Sequence, residues 1–320
     1  MPYPYTSKYP KGFSNGVEIL GTPVLNTYSN NVYWVCATEG SDGNKGTRDR
    51  PFATLSKAVS TAADDKGDLV YLKANHRETI TDALNINKRG LTVTGVSVGR
   101  MKPVITLVGA AATDGIDVSA ANVTLSNFEL SAGFDGVVGI DVDAANCTVA
   151  GVDFRDSATD LHFLHCMQFG STTDNVCDGL TVQDCSYYTA TDSGTSFINS
   201  LGITYRPTVV GNTYMVANTA DTAGQFIAGT AGDQWEWGLI TDNHILVNVT
   251  ATDTYPFLNG NVDTDNTGII ARNWFANSIS NTNATNTHNV KALGFRYMQN
   301  YNVGADLGGG VLWPTATEGS

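Results

Sequence analysis

Charge is scarce in this chain: Asp, Glu, Lys and Arg make up only 15% of its 320 residues, against roughly 25% in ordinary globular domains. Proline is scarce as well, 9 residues against 33 glycines, which excludes collagen and proline-rich disorder. No apolar run approaches the roughly 18 residues of a membrane span. The first residues, MPYPYTSKYPKGF, lack the apolar core of a secretion signal. The expectation is a soluble chain with no membrane insertion, not exported by the general route. Five cysteines, an odd number without CxxC spacing, fit neither a disulfide framework nor a zinc ribbon. Phosphate loop, nucleophile elbow and dinucleotide fingerprint are all missing, so no cofactor is implied.

The charge that is present is unevenly placed. Residues 1–100 carry 12 basic and 9 acidic side chains, and residues 101–320 carry 6 basic and 22 acidic. A surface so acidic repels phosphate backbones, which excludes nucleic acid as a partner.

An internal repeat organises the rest. Gly115–Thr124 reads GIDVSAANVT and Gly139–Thr148 reads GIDVDAANCT, identical at eight of ten positions. Related units begin at Thr92, Thr124, Thr148, Thr181, Thr208, Leu239, Ile269 and Lys291, 22 to 33 residues apart. Each has a few apolar residues at short spacing, bounded by Asn, Asp, Gly and Thr, which reads as strand plus turn. Helical periodicity is missing, so helical arrays are excluded. Three-strand coils of this length describe an all-β parallel β-helix.

Stacking the units puts Val93, Leu125, Val149, Val182, Val209, Ile240 and Ile270 in one column. A second column holds Val96, Phe128, Val152 and Cys185, then Asn212, Asn243 and Asn273. Those three Asn predict an internal amide ladder, or else turn residues tolerating positive φ. Before the solenoid, Thr54 is placed to N-cap a helix with Leu55, Ala58, Val59 and Ala62 on one face, stopped by Gly67. A solenoid end is apolar, so a capping helix is required there. Leu69–Leu72 and Leu84–Ile86 read as opening strands.

This opening region resembles that of pectin-lyase-like right-handed β-helix proteins. The resemblance rests on Val32–Val35, then GSDGNKGTRDRPFATLSKAV (Gly40–Val59) and GDLVYLKANHRETI (Gly67–Ile80), with Ala74 and His76 where that superfamily has Gly and Tyr. The preceding segment, Tyr9–Val35, resembles the start of bacteriophage virion proteins that carry this β-helix. Such proteins are homotrimers, either tailspikes acting on host polysaccharide or spikes and decorations on the capsid. The resemblance implies residues 1–30 as an extended anchoring arm, 31–90 as cap and first coil, 91–300 as the β-helix and 301–320 as a Gly-rich tail. Its docking residues on the major capsid protein would be Tyr3, Tyr5, Tyr9, Lys11, Phe13, Val17, Ile19 and Val24, and a host-surface glycan is a further partner. The implied address is the outer surface of the virion, after assembly in the host cytoplasm.

Chemistry is harder to find. Sugar-cleaving sites need two or three converging carboxylates. The densest sets are Asp141/Asp143, Asp153/Asp156 and Asp263/Asp265; Asp141 and Asp143 share a face by alternation, open to a metal or acid pair. Asp117 aligns with Asp141, but Ser119 replaces Asp143, and solvated turn carboxylates explain all of these sets. No residue is assigned as catalytic or metal-binding, and enzymatic activity is left open. In Gln234-Trp235-Glu236-Trp237, strand alternation puts both Trp on one face, suited to a trimer interface or a carbohydrate, with Glu236 on the other. His162 and His165 with Cys166 read as local packing, because i and i+3 on a strand face apart. Cys147 and Cys185 read as buried thiols, and Arg206-Pro207 as a lone dipeptide.

The reading is a trimeric phage capsid decoration or head spike, docked through its N-terminus and possessing an adhesive shaft. The alternative is a tailspike-like polysaccharide depolymerase or a carbohydrate-binding adhesin.

Overall fold

A computed structural model describes residues 31–300 except 109–114, 136, 158–160, 172–173, 190–195, 217–223, 230–233, 248–257, 260–265, 278–289 and 292–293. The short strand pairs at 17–24 and 301–311 complete the described set. Among these residues the chain winds into a right-handed parallel β-helix of three sheets. The first sheet has ten strands, from Val32–Val35 to Phe295–Met298, the second ten, starting at Arg77–Ile80, and the third eight, starting at Leu84–Ile86.

Side-chain alternation explains the winding. Each short strand turns one or two apolar residues inward, and a parallel neighbour in register stacks the same residue on top. Val93 pairs with Leu125, Leu125 with Val149, and the column continues through Val182, Val209 and Ile240 to Ile270, as the repeat predicted. All seven are at most 1% exposed. The interior widens around an aromatic group in which Phe197 stacks on Phe226 at 5.4 Å and Phe154 meets Phe163 edge-on at 5.6 Å.

The second column needs one correction. Val96 is exposed, and Pro103 takes its place, with the Glu129 N–H bonded to the Pro103 carbonyl. The cause is length: eight residues separate the Thr92–Gly95 and Val104–Leu107 strands, where two separate the corresponding strands of later coils. The last unit is also shifted. Val290–Lys291 belongs to the third sheet, and the first-sheet strand is Phe295–Met298, which brings Asn300 into line with Asn273.

The Asn ladder forms, with Asn300 as a fourth rung. Asn243 Oδ1 accepts from the Asn212 backbone N–H and Nδ2, while Asn243 Nδ2 donates to the Val209 carbonyl and to Asn273 Oδ1. The turn role is present too, on the preceding residues: Asp184, Gly211, Asp242, Arg272 and Gln299 all have φ between +52° and +69°. That left-handed step is what turns each following side chain inward.

The capping helix spans Leu55–Thr61, with the Lys57 N–H bonded to Thr54 Oγ1 as expected. It ends at Ala62, short of Gly67, because Asp68 Oδ2 takes the Ala63 N–H and draws the chain away.

Candidate functional site

The motif carboxylates of the opening region converge on backbone amides. Asp42 accepts the N–H groups of Ala53 and Thr54 at 2.9 and 3.0 Å, and the Thr54 hydroxyl at 2.8 Å. Asp68, fully buried, accepts the N–H groups of Asn31 and Ala63, both at 2.8 Å. Glu78 accepts the Leu55 N–H on both oxygens, at 3.0 and 2.9 Å. The Ala37 N–H donates to His76 Nδ1 at 3.0 Å, so the ring proton sits on Nε2 and donates to Glu78 at 3.0 Å. A cleft of about 330 Å³ opens between the helix start and Glu78–Leu84. Of the two carboxylates in its wall, Glu78 is committed to holding the cap, while Asp82 is exposed and accepts from the Thr81 hydroxyl at 3.3 Å. His76 braces the cap through both Ala37 and Glu78.

The other acidic sets do not converge either. Asp141 lies in register between Asp117 and Gln168 on the third sheet and is buried, while Asp143 follows the strand end, half-buried. Their expected joint outward display is corrected: the strand stops at Val142, and alternation stops with it. Asp153 bridges to Lys102 Nζ at 2.7 Å and accepts from the Ser186 hydroxyl at 2.8 Å. Asp156 accepts from the Tyr187 hydroxyl at 3.1 and 3.0 Å; burial pushes the Asp156 carboxyl above its usual range and the Tyr187 phenol up as well. Asp263 and Asp265 lie outside the described residues.

His162 faces Asp135 at 3.4 Å, whereas His165 Nδ1 meets Ser196 Oγ at 2.8 Å, and burial lowers the His165 pKa to about 4. Among the described residues no group of three His, Cys, Asp or Glu side chains is placed to hold a metal. Cys147 and Cys185 are buried, and burial pushes the Cys185 thiol up to about 12.

The tryptophan motif is where the structure departs most from the sequence. Trp235 is 5% exposed, its indole N–H bonded to Ser200 Oγ at 2.7 Å and its backbone N–H to Asn266 Oδ1 at 2.8 Å. Trp237 is 71% exposed. The two do not share a face, because Trp237 has φ +58° and the strand ends at Glu236. The left-handed step brings Glu236 and Trp237 onto one surface. One coil earlier, in register, Tyr205 donates its hydroxyl to the Glu236 carboxylate, which raises the phenol pKa, and Arg206 repeats the turn at φ +55°. For non-glycine residues each such step costs roughly 1–2 kcal/mol. Aromatic, carboxylate and guanidinium groups thus share one exposed corner, a combination able to stack on and hydrogen-bond a polar ring. Sequence reading missed Tyr205 as a member; aligning Tyr205-Arg206 with Glu236-Trp237 across one repeat would have found it.

The proposed docking residues Tyr3, Tyr5, Tyr9, Lys11 and Phe13 lie outside the described residues. Val17, Ile19 and Val24 fall in a described antiparallel pair, Val17–Ile19 with Thr22–Val24, whose side chains lie outside the description.

The chain matches no protein-family model and no curated protein. Solved structures do resemble it. A rhamnogalacturonan lyase superposes with a TM-score of 0.50 at 14% identity, over 91% of this chain and 88% of that one. Pectin methylesterase PemA from Erwinia chrysanthemi gives 0.47 at 13% identity, over 88% and 91%. ORF18 of Geobacillus virus E2 gives 0.44 at 12% identity, over 85% and 61%. At such identities the likeness to the lyase is one of fold alone, the pectin-lyase-like β-helix.

Proposed function

We propose that this chain is a structural protein of a phage virion, a homotrimeric capsid decoration or head spike. It docks on the major capsid protein through residues 1–30 and projects its β-helix outward as a stiff, adhesive shaft. The observation that carries the reading is the commitment of the motif carboxylates: Asp42, Asp68 and Glu78 all bind backbone amides of the cap. That spends the most distinctive acidic groups on a rigid base rather than on a substrate. The acidic shaft keeps neighbouring particles apart by mutual repulsion. Deleting residues 1–30 should abolish co-sedimentation with purified capsids while the circular dichroism spectrum stays β-rich. Undiminished binding would refute the arm.

A second reading, glycan adhesion or polysaccharide cleavage, is favoured by the exposed corner of Tyr205, Arg206, Glu236 and Trp237. Retention on host polysaccharide without new reducing ends supports an adhesin; release of reducing ends supports a depolymerase.

A further inference from the structure

A left-handed step recurs where successive coils pass from the third sheet into the first. Gly90, Asn122, Asn146, Gly179, Arg206 and Trp237 occupy it, with φ between +55° and +73°. They form one column, because the N–H of each of the first five donates to the carbonyl just before the next. Four coils in succession fill the step with glycine or asparagine, the residues that enter this region most readily. The next two use arginine and tryptophan, which the backbone bears only under strain. The fold itself does not call for either side chain, and strain kept without a structural need points to a task.

Neither side chain serves the shaft. Trp237 is 71% exposed, and Arg206 is exposed as well. Among the described residues Arg206 forms no ion pair. Arg272, on the left-handed step between the first and second sheets, differs: its guanidinium is bonded twice to Asp242, at 2.8 and 2.6 Å. The Arg206 and Trp237 backbones lie on adjacent coils, about 5 Å apart. Beside them Tyr205 and Glu236 pair in register on a small two-stranded sheet, joined by the phenol–carboxylate hydrogen bond.

We propose that this corner binds one ring of an uncharged glycan, its C–H face on the Trp237 indole and its hydroxyls on Arg206 and Glu236. The inference rests on the glycan-adhesion reading above and names its site and its sugar class. A guanidinium only donates and a carboxylate only accepts, whereas sugar hydroxyls do both, so neighbouring hydroxyls satisfy the pair. The indole supplies the apolar platform. Four side chains on two coils match a sugar ring in size, while a folded protein partner needs roughly 800 Å² on each side.

Charge selects the neutral sugar. In the coil below, Asp174 and Asp178 accept the N–H groups of Ile203 and Tyr205 at 3.2 and 2.9 Å. Their charge reaches the corner: the Tyr205 phenol pKa is raised by Glu236 first, and by Asp178 and Asp174 as well. Three carboxylates thus face one guanidinium, on a chain of net charge −13. An acidic sugar is repelled there.

The test is affinity electrophoresis of the full chain through gels holding dextran, mannan or galactomannan, with polygalacturonate as the acidic counterpart. Wild type should be retarded by at least one neutral polymer and not by polygalacturonate. Trp237→Gly and Arg206→Asn restore residue types that earlier coils use at this step, so both variants fold. Each should lose affinity by about tenfold or more. Trp274→Ala, at a half-exposed tryptophan on the second sheet, should bind as wild type does. Retardation that survives either corner variant, or is lost equally in Trp274→Ala, overturns this site while glycan adhesion stands. Retardation by polygalacturonate overturns the sugar class. No retardation by any polymer overturns the site and the adhesive reading together.

Discussion

Asn243 and Asn212 are joined by two hydrogen bonds to a single atom: Asn243 Oδ1 accepts the Asn212 backbone N–H at 2.9 Å and its Nδ2 at 3.0 Å. Both residues are 0% exposed, so no water replaces either bond. Asn243→Ala leaves the Asn212 backbone N–H and one Nδ2 hydrogen of Asn212 without their acceptor. Each buried orphan costs about 1–3 kcal/mol, and the variant should lose about 3–5 kcal/mol of stability in urea unfolding. Cys185 ends the ladder by imitating a rung, its N–H bonded to Asn212 Oδ1 and its thiol aimed at the Val149 carbonyl 3.6 Å away.

The cap offers a local counterpart. Glu78→Ala removes the acceptor of the Leu55 N–H and of His76 Nε2, leaving both buried donors unmet. Amide exchange in Leu55–Thr61 should accelerate at least tenfold, while exchange in the Leu125 and Val149 strands stays slow. Uniform acceleration throughout would show that the cap and shaft unfold as one unit.

Two neighbouring tryptophans should respond in opposite directions. Trp235→Phe breaks the bond to Ser200 and should lower stability by about 1–2 kcal/mol. Trp237→Gly relieves a left-handed backbone and should raise stability by up to about 1 kcal/mol. Thermal unfolding of the two variants checks both signs.

Acid should weaken the fold through His165. Its folded pKa of about 4 lies below the ordinary 6.5, so the unfolded chain takes up the proton first as pH falls. That stability is complete above pH 6.5, declines between 6.5 and 4, and is lost below, about 3 kcal/mol in all. His165→Gln should remove this decline. Asp156 acts with opposite sign: its raised folded pKa means the folded state gains the proton first, so Asp156→Asn should stabilise most at neutral pH and least in acid. Urea unfolding between pH 7.5 and 4 separates the two.

These cases mark what the sequence could disclose. The Val93-to-Ile270 column and the Asn rungs were legible because parallel strands in register repeat one residue type at one phase. Val96 was misplaced because an eight-residue connection carries no phase of its own. The Trp235–Trp237 pair was misread because alternation holds only while φ stays negative, and a bulky indole gives no warning of a left-handed turn. The Tyr205–Glu236 contact spans a coil, so neither local pattern contained it.

The proposed mechanical role on the particle can be seen directly. Electron cryomicroscopy of virions carrying this protein with a label at residue 320 tests it directly. Label at the outer tips of three-fold projections standing on the capsid is the expected result. Particles without the label, or label only on the tail, would contradict it.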